Sequence, residues 1–329
     1  MKISLMMGIT DEEYVEHLSR VLMDCFADVF DIHLCRTPEQ LQKASQQVYD
    51  VALLSPDMMQ NWATQYSKLS IVLCDAGEAG MTCPIISKYQ RISKIVSKIL
   101  ELYAEVCENG MSFSANHARI TVVWSPVGGC GKTTVALAYA AQKALSGQET
   151  VYVDLENFSS VPIYFRADGK GISTAFEKMD TNLELLLKSI RQRDAETGIY
   201  YFLPPDNYDD IDILTVSDLE RLVTGCAAGM DEVILDLSSS CGDKVKHLLQ
   251  IADQIFLVEG QSAASRAKLL QFQQQNNVYA SVESKLVRVY NCGAVPQEQT
   301  TGRMIRLPQI NSHDPITVYR SLAGSPMVQ

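Results

Sequence analysis

The sequence predicts an α/β protein built from two doubly wound parallel-sheet domains. Three observations predict it. Short apolar runs alternate with helical spacings over the first hundred or so residues, the pattern of strands and helices that builds a parallel sheet covered on both faces. A second set of apolar strand runs, at 120–124, 151–155, 232–236, 253–258 and 286–291, follows a turn-rich break. The chain has 329 residues, long for one domain and ordinary for two. The expected division is a first domain at 1–106, a linker at 107–118 and a second domain at 119–329.

In the first domain, Met1 to Met7 reads as a strand. Asp11 to Asp24 places Tyr14, Leu18, Val21 and Leu22 on one helical face, with Asp11, Glu12 and Glu13 as first-turn acids. Phe30 to Leu34 is strand-like. Thr37-Pro38-Glu39-Gln40 is a helix start, with Thr37 as cap and Pro38 in the first turn. Asp50 to Leu54 and Leu69 to Leu73 are short apolar runs, hence buried strands, and Pro84 to Ile86 is a last short one. Arg91 to Val106 repeats apolar residues at Ile92, Ile95, Val96, Ile99, Leu100 and Tyr103, an amphipathic helix. Cys107 to Ala118 is polar and turn-rich, as a linker is.

The second domain begins with Ile120 to Thr134, ITVVWSPVGGCGKTT. An apolar strand breaks into a glycine turn, and Val135 to Leu145 then reads as a small-residue helix. Strand, glycine loop, Gly-Lys-Thr and helix is the layout of a phosphate-binding P-loop. Gly128, Gly129, Cys130, Gly131, Lys132, Thr133 and Thr134 are its candidate nucleotide-binding residues. Glycines let backbone N–H groups close around an anion, and the helix directs its positive end to the same place. Lys132 would sit on the β/γ-phosphates and the Thr133 hydroxyl on Mg²⁺. The usual spacing puts glycine at 126, where this chain has Pro126.

Val151 to Glu156 is a strand ending in acids. Thr181 to Ile190 is a helix. Tyr200 to Leu203 is a short strand entering a turn, and Ser217 caps the helix that follows. Glu232 to Asp236 is an apolar strand ending in aspartate, the Walker B pattern, and Asp236 is the expected holder of Mg²⁺ through a water. The tail from Ser312 carries Ile316, Tyr319 and Leu322 at helical spacing. It is short and poorly charged for a membrane anchor.

The loop Val127-Gly128-Gly129-Cys130-Gly131-Lys132-Thr133 resembles the deviant P-loop of the ParA/MinD family, Lys-Gly-Gly-x-Gly-Lys-Thr. The resemblance implies ATP and Mg²⁺ as ligands and a homodimer as the working form. It implies γ-phosphate-side roles for Asp154 and for Glu156, which stands where an aspartate is usual. With Lys132 these are the catalytic candidates. It also implies that Asn291, at the end of the last strong strand, reads the adenine edge. In that family the first lysine of the loop reaches the partner's nucleotide, and here the position holds Val127. At most a weak ATPase is therefore expected, because a cation at the developing charge is missing.

The first domain is similar in order to the receiver domain of two-component systems, a flavodoxin-like fold. The acid pair after the first strand is replaced by Met7-Gly8, and the phospho-acceptor place is taken by Ser55, while Lys88 stands at the place of the lysine before the final helix. A degenerate receiver followed by such an ATPase domain resembles the TadZ/CpaE family of pilus-assembly proteins. That resemblance implies a localisation or assembly factor for Flp/Tad-type pilus or secretion machinery. It would be cytoplasmic and recruited to a cell pole or to a membrane-bound complex. The alternatives are a partitioning or positioning ATPase, a response-regulator-type signalling protein, and a scaffold that binds no nucleotide.

Bulk properties narrow these choices. The net charge of −11 argues against a specific nucleic-acid partner for the chain as a whole. The stretch from 262 onward is locally basic through Arg266, Lys268, Lys285, Arg288, Arg303, Arg306 and Arg320. Nine scattered cysteines without a Cys-x-x-Cys pair point to reduced thiols. No secretory leader and no apolar run of about twenty residues is expected. The five dispersed histidines give no zinc pattern.

Overall fold

A computed structural model describes residues 2–27, 29–75, 83–106, 118–179, 182–292, 302–325 and 327. The expected linker lies outside these except for Ala118. By contact the chain divides into two units, Met1–Phe113 with Asp180–Ser189, and Ser114–Met179 with Ile190–Gln329. Residues 180–189, read from the sequence as part of the second domain, thus group with the first unit, and Asn182 donates its backbone N–H to the Ala104 carbonyl.

The first unit is a five-stranded parallel sheet of β1 (Ile3–Gly8), β2 (Phe30–Cys35), β3 (Tyr49–Leu54), β4 (Ser67–Cys74) and β5 (Ile85–Ser87), in the order β2-β1-β3-β4-β5. This is one of the two common doubly wound orders. Helices Glu12–Cys25, Pro38–Ala44 and Ile92–Val106 form where the apolar spacing placed them. Asp11 caps the first by accepting from the Tyr14 N–H, and Thr37 caps the second by accepting from Gln40. Leu5, Met7, Val51, Leu53, Ile71 and Leu73 are fully buried, as central parallel strands require.

The carboxyl end of this sheet is packed shut where β1 meets β3. A Cβ on Gly8 would run into Leu54, with Leu41 and Met58 behind it. Ser55 is buried, and both its N–H and its hydroxyl donate to the Gly8 carbonyl.

The second unit is an eight-stranded sheet of β6 (Arg119–Trp124), β7 (Thr150–Leu155), β8 (Gln192–Arg193), β9 (Tyr200–Tyr201), β10 (Glu232–Leu237), β11 (Gln254–Glu259), β12 (Leu286–Tyr290) and β13 (Arg303–Arg306). The order is β13-β12-β11-β6-β10-β7-β9-β8, and every pairing is parallel except that of β8 with β9. The strand β6 stands between β11 and β10, so consecutive strands depart to both sides of it, and such a reversal is where open α/β sheets bind ligands.

Two local readings change. The helix after the glycine turn spans Lys132–Leu145, beginning three residues earlier than its apolar pattern, so Lys132, Thr133 and Thr134 form its first turn. The helix at Val216–Ala227 is capped by Thr215 rather than Ser217. Thr215 accepts from the Asp218 N–H while Asp218 accepts from that of Thr215, a reciprocal capping box. The tail helix, Pro315–Ala323, buries Tyr319 and Leu322 against the Lys132–Leu145 helix, and Gln142 donates to the carbonyls of Ala323 and Ser325. Its apolar face is therefore already covered by protein. The basic residues of the C-terminal third are dispersed: Arg288 pairs with Glu259, Lys285 holds the Gln250 carbonyl and Arg320 pairs with Glu196. Among the described residues, no helix is long and apolar enough to cross a membrane.

Candidate nucleotide site

The carboxyl ends of β6, β7, β10 and β12 carry the residues singled out in the sequence. The loop after β6 is shaped by two glycines at positive φ, Gly129 at 71° and Gly131 at 90°. A side chain at either would be strained. Gly128 and Gly129 are exposed, with no atom within 4 Å of where a Cβ would stand, so the loop presents bare backbone there. Its inner side is packed. Cys130 is buried and its thiol donates to the Val127 carbonyl, while the Ser125 hydroxyl accepts from the Val127 N–H. Gly131 caps the Lys132–Leu145 helix, whose first N–H groups have no partner within the helix. A concave run of backbone donors ahead of a helix N-terminus suits a phosphate chain.

Lys132 is buried, and its ammonium lies 3.1 Å from the Ser239 hydroxyl and 3.4 Å from the Glu156 carboxylate. Ser239 was missed in the sequence; its signal is the Ser238-Ser239-Ser240 run directly after β10. Asp154 and Asp236 are direct partners in the β7–β10 register. Asp236 is wholly buried. Its Oδ2 accepts from the Tyr152 hydroxyl at 2.9 Å, the Thr133 hydroxyl lies against the same carboxylate, and Oδ1 has no hydrogen-bond partner. Burial, with the charge of Asp154 added, pushes the Asp236 carboxyl well above the usual range. Tyr152 is the second missed residue, readable in principle because it shares a strand face with Asp154 two residues on.

Asp154 is held by the loop that follows it. One oxygen accepts from the Glu156 N–H at 2.9 Å and the other from the Ser159 hydroxyl at 2.6 Å. Burial raises it to about 6 despite these bonds. In this loop Phe158 is exposed. Phe158 stacks on Tyr208 with ring centroids 5.7 Å apart, and Asn157 donates to the Tyr208 carbonyl and to Asp212. Thr134, the last residue of the predicted motif, faces the Tyr164 hydroxyl. Asn291 follows β12 and is buried, with its side-chain amide donating to the Cys130 carbonyl at 3.0 Å.

The predicted residues therefore come together: the glycine loop, Lys132, Thr133, Asp154, Glu156 and Asp236 line one end of the sheet, and Asn291 abuts the loop. Among the described residues no three His, Cys, Asp or Glu side chains converge to cage a metal ion. The unpartnered Asp236 Oδ1, on a carboxylate that the Thr133 hydroxyl also meets, would instead suit a hydrated Mg²⁺ brought in with a phosphate.

No family model and no curated protein matches this sequence. Among solved structures, a ParA-family ATPase from Chlorobium tepidum TLS matches with a TM-score of 0.51 and 19% identity, over 64% of this chain and 95% of that one. The septum site-determining protein MinD from Pyrococcus horikoshii OT3, complexed with Mg-ADP, matches at a TM-score of 0.49 and 13% identity over 63% and 95%. Cobyrinic acid a,c-diamide synthase from Mycobacterium smegmatis, with a bound ATP analog and magnesium, gives 0.44 and 17% over 63% and 93%. At such identities the first likeness speaks for fold alone: about two thirds of this chain shares the α/β fold of that ATPase, and the chain as a whole divides into two α/β units.

Proposed function

We propose that the second domain binds ATP with Mg²⁺ and that the chain works as a nucleotide-dependent homodimer with slow or no hydrolysis. In this reading it is a localisation or assembly factor for Flp/Tad-type pilus or secretion machinery, and the first domain is a degenerate receiver used for protein contacts. The observation that carries the nucleotide part is the buried Lys132 under a glycine loop with two positive-φ residues, together with a buried aspartate, Asp236, one of whose oxygens lacks a partner. Bound Mg²⁺ would supply charge neutralisation on the phosphates. The chain's own residues do the rest. The loop amides would orient the phosphates, Lys132 would leave Glu156 for them, and Asp236 with Thr133 would hold the hydrated metal. Asp154 holds the 156–159 loop in place at the γ-phosphate side.

Val127 is buried and uncharged where active relatives carry lysine, which supports slow turnover. Val127→Lys is expected to raise ATP turnover at least tenfold, measured as phosphate release; a wild type that already hydrolyses ATP briskly, or an unchanged variant, defeats this part. The homodimer is supported by the exposed apolar side chains beside the site, Phe158, Tyr208, Ile163 and Ile213. Light scattering with and without ATP–Mg²⁺, on wild type and Lys132→Ala, tests it.

The fold match to a ParA-family ATPase favours a second reading, a partitioning or positioning ATPase. ATP-dependent, salt-sensitive binding to DNA or to anionic liposomes would select it over the first.

A further inference from the structure

We propose that Asn291 is a positioning residue for the phosphate loop, acting through the Cys130 carbonyl and independently of any base it meets. The inference rests on the nucleotide reading of the same site for its effect on binding, and on geometry alone for its effect on the loop. The side-chain amide of Asn291 is buried and donates to the Cys130 carbonyl at 3.0 Å, a bond across 161 residues. Only the nitrogen of an amide can donate to a carbonyl, so this bond sets which way round the side chain lies. Its target is the residue just before Gly131, the loop's second positive-φ position. A Cβ on Gly131 would collide with the same Asn291 nitrogen. Glycine at 131 thus meets two demands at once: the left-handed backbone, and the room for Asn291 to reach past it.

The support behind Asn291 is firm. Its backbone N–H donates to the Glu259 carbonyl at 3.0 Å, extending the β11–β12 ladder by one rung. One residue back along β12 from Tyr290, Val289 is buried, and Arg288 makes a 3.0 Å ion pair with Glu259 across the same two strands. The residue after it, Cys292, takes a positive φ of 52°, outside the extended backbone of the strand. Cys130 also rests on the end of β11: its Cβ lies 3.7 Å from where a Cβ of Gly260 would stand, and the Gly260 N–H is held by Ser265. The loop is therefore suspended from the ends of two strands, and Asn291 supplies a hydrogen bond from the end of β12 to its backbone. An amide so placed keeps the N–H groups of the loop converging before any ligand arrives, which is preorganisation of an anion site.

Two measurements on the full chain test this. In hydrogen–deuterium exchange of the ligand-free protein, Asn291→Ala is expected to speed exchange of the 125–134 segment about fivefold, the worth of one buried hydrogen bond, with β11 and β12 unchanged. A residue that only contacts a base would leave the ligand-free loop as it was, and unchanged exchange overturns the proposal. By calorimetry with Mg²⁺ present, the same variant is expected to lose affinity for ATP and for inorganic tripolyphosphate by the same factor, again about fivefold. A loss confined to ATP overturns the proposal in favour of base contact. If the wild type binds neither, the nucleotide reading fails, and the exchange result still judges the brace. Asn291→Asp keeps the size and removes the donor. It gives the same loop loosening should the alanine variant fold poorly, and a loop as slow as wild type in Asn291→Asp counts against the hydrogen bond.

Discussion

Each sheet buries an aspartate, and the two are opposites. Asp50 lies at the amino end of β3 and accepts four hydrogen bonds: from the Ser4 N–H and hydroxyl, both 2.9 Å, from the Tyr103 hydroxyl at 2.7 Å and from the Lys68 ammonium at 2.8 Å. Burial alone would raise its carboxyl, but the bonds from Lys68, Tyr103 and Ser4 outweigh that and hold it at about 2. Asp236 lies at the carboxyl end of β10, is more deeply buried, and leaves Oδ1 without a partner; its carboxyl is driven the other way. A buried carboxylate that is fully satisfied ties a fold together. One left short calls for charge from outside the chain. The same fold principle, a doubly wound sheet, thus carries a structural acid at one unit's amino edge and a candidate ligand-directed acid at the other's carboxyl edge.

The largest expected effect tests whether outside charge arrives at all. Lys132→Ala removes the buried cation that would meet the phosphates, and a loss of about 2–5 kcal/mol in ATP binding follows, thirtyfold or more. Calorimetry with ATP–Mg²⁺ reads it; an affinity within threefold of wild type would mean that Lys132 serves only Glu156 and Ser239.

The contrast itself is broken or kept by two asparagine variants. Asp50→Asn sets an amide nitrogen against at least one of four donors and is expected to destabilise the first unit by about 2–3 kcal/mol. Asp236→Asn keeps the acceptor for Tyr152 and replaces a carboxyl whose charged form burial disfavours. It should leave the ligand-free stability within about 1 kcal/mol while erasing the Mg²⁺-dependent part of ATP binding. Urea denaturation of both variants, with and without ATP–Mg²⁺, separates them; equal destabilisation by the two would dissolve the distinction.

A pH series sharpens the Asp50 half. Its folded-state value, about 2, lies below the unfolded value of 3.8. The stabilisation is therefore full above pH 3.8 and is lost as pH falls through about 2. It amounts to about 2 kcal/mol. The stability gap between wild type and Asp50→Asn should narrow between pH 4 and pH 2 and be flat from pH 5 to 8. A gap that instead widens on acidification would show that Asp50 is not held ionised.

Much of this was legible in the chain, and what was not has a common cause. Apolar runs such as Asp50–Leu54 and Glu232–Asp236 announce parallel strands because both sheet faces are covered, and the structure places them within a residue or so. The glycine loop is legible because positive φ and bare backbone demand glycine. The partners of the acids were not. Tyr152 and Asp236 are 84 residues apart, Ser4 and Asp50 are 46 apart, and nothing local marks either pair. The edge strand β13 was also missed: Arg303–Arg306 has one buried residue, Ile305, between charged ends, which reads as loop until a neighbour is in place. Thr215 lost to Ser217 as the expected cap because both types cap helices, and only the reciprocal bond with Asp218 decides between them.

Glu156 stands between the two aspartates and carries the smallest and most discriminating prediction. It is partly exposed and has a partner, but the partner is Lys132, which phosphate would claim. Two roles for it predict opposite signs. If Glu156 helps hold Mg²⁺ or a water at the γ-phosphate, as the ParA/MinD resemblance implies, Glu156→Gln weakens ATP–Mg²⁺ binding or turnover. If Glu156 chiefly parks Lys132 in the ligand-free protein, the same variant frees the cation and removes a negative charge facing the incoming phosphates. Binding then tightens by about 0.5–1 kcal/mol, two- to fivefold. The 3.4 Å pairing, and the Asp154 carboxylate already committed to the Glu156 N–H, favour the second. The expected result is tighter binding of both ATP–Mg²⁺ and tripolyphosphate, with the gain shrinking as salt is raised, because it is carried by charge in a site open to solvent. Weaker binding, or a gain indifferent to salt, would move Glu156 to the side of Asp236.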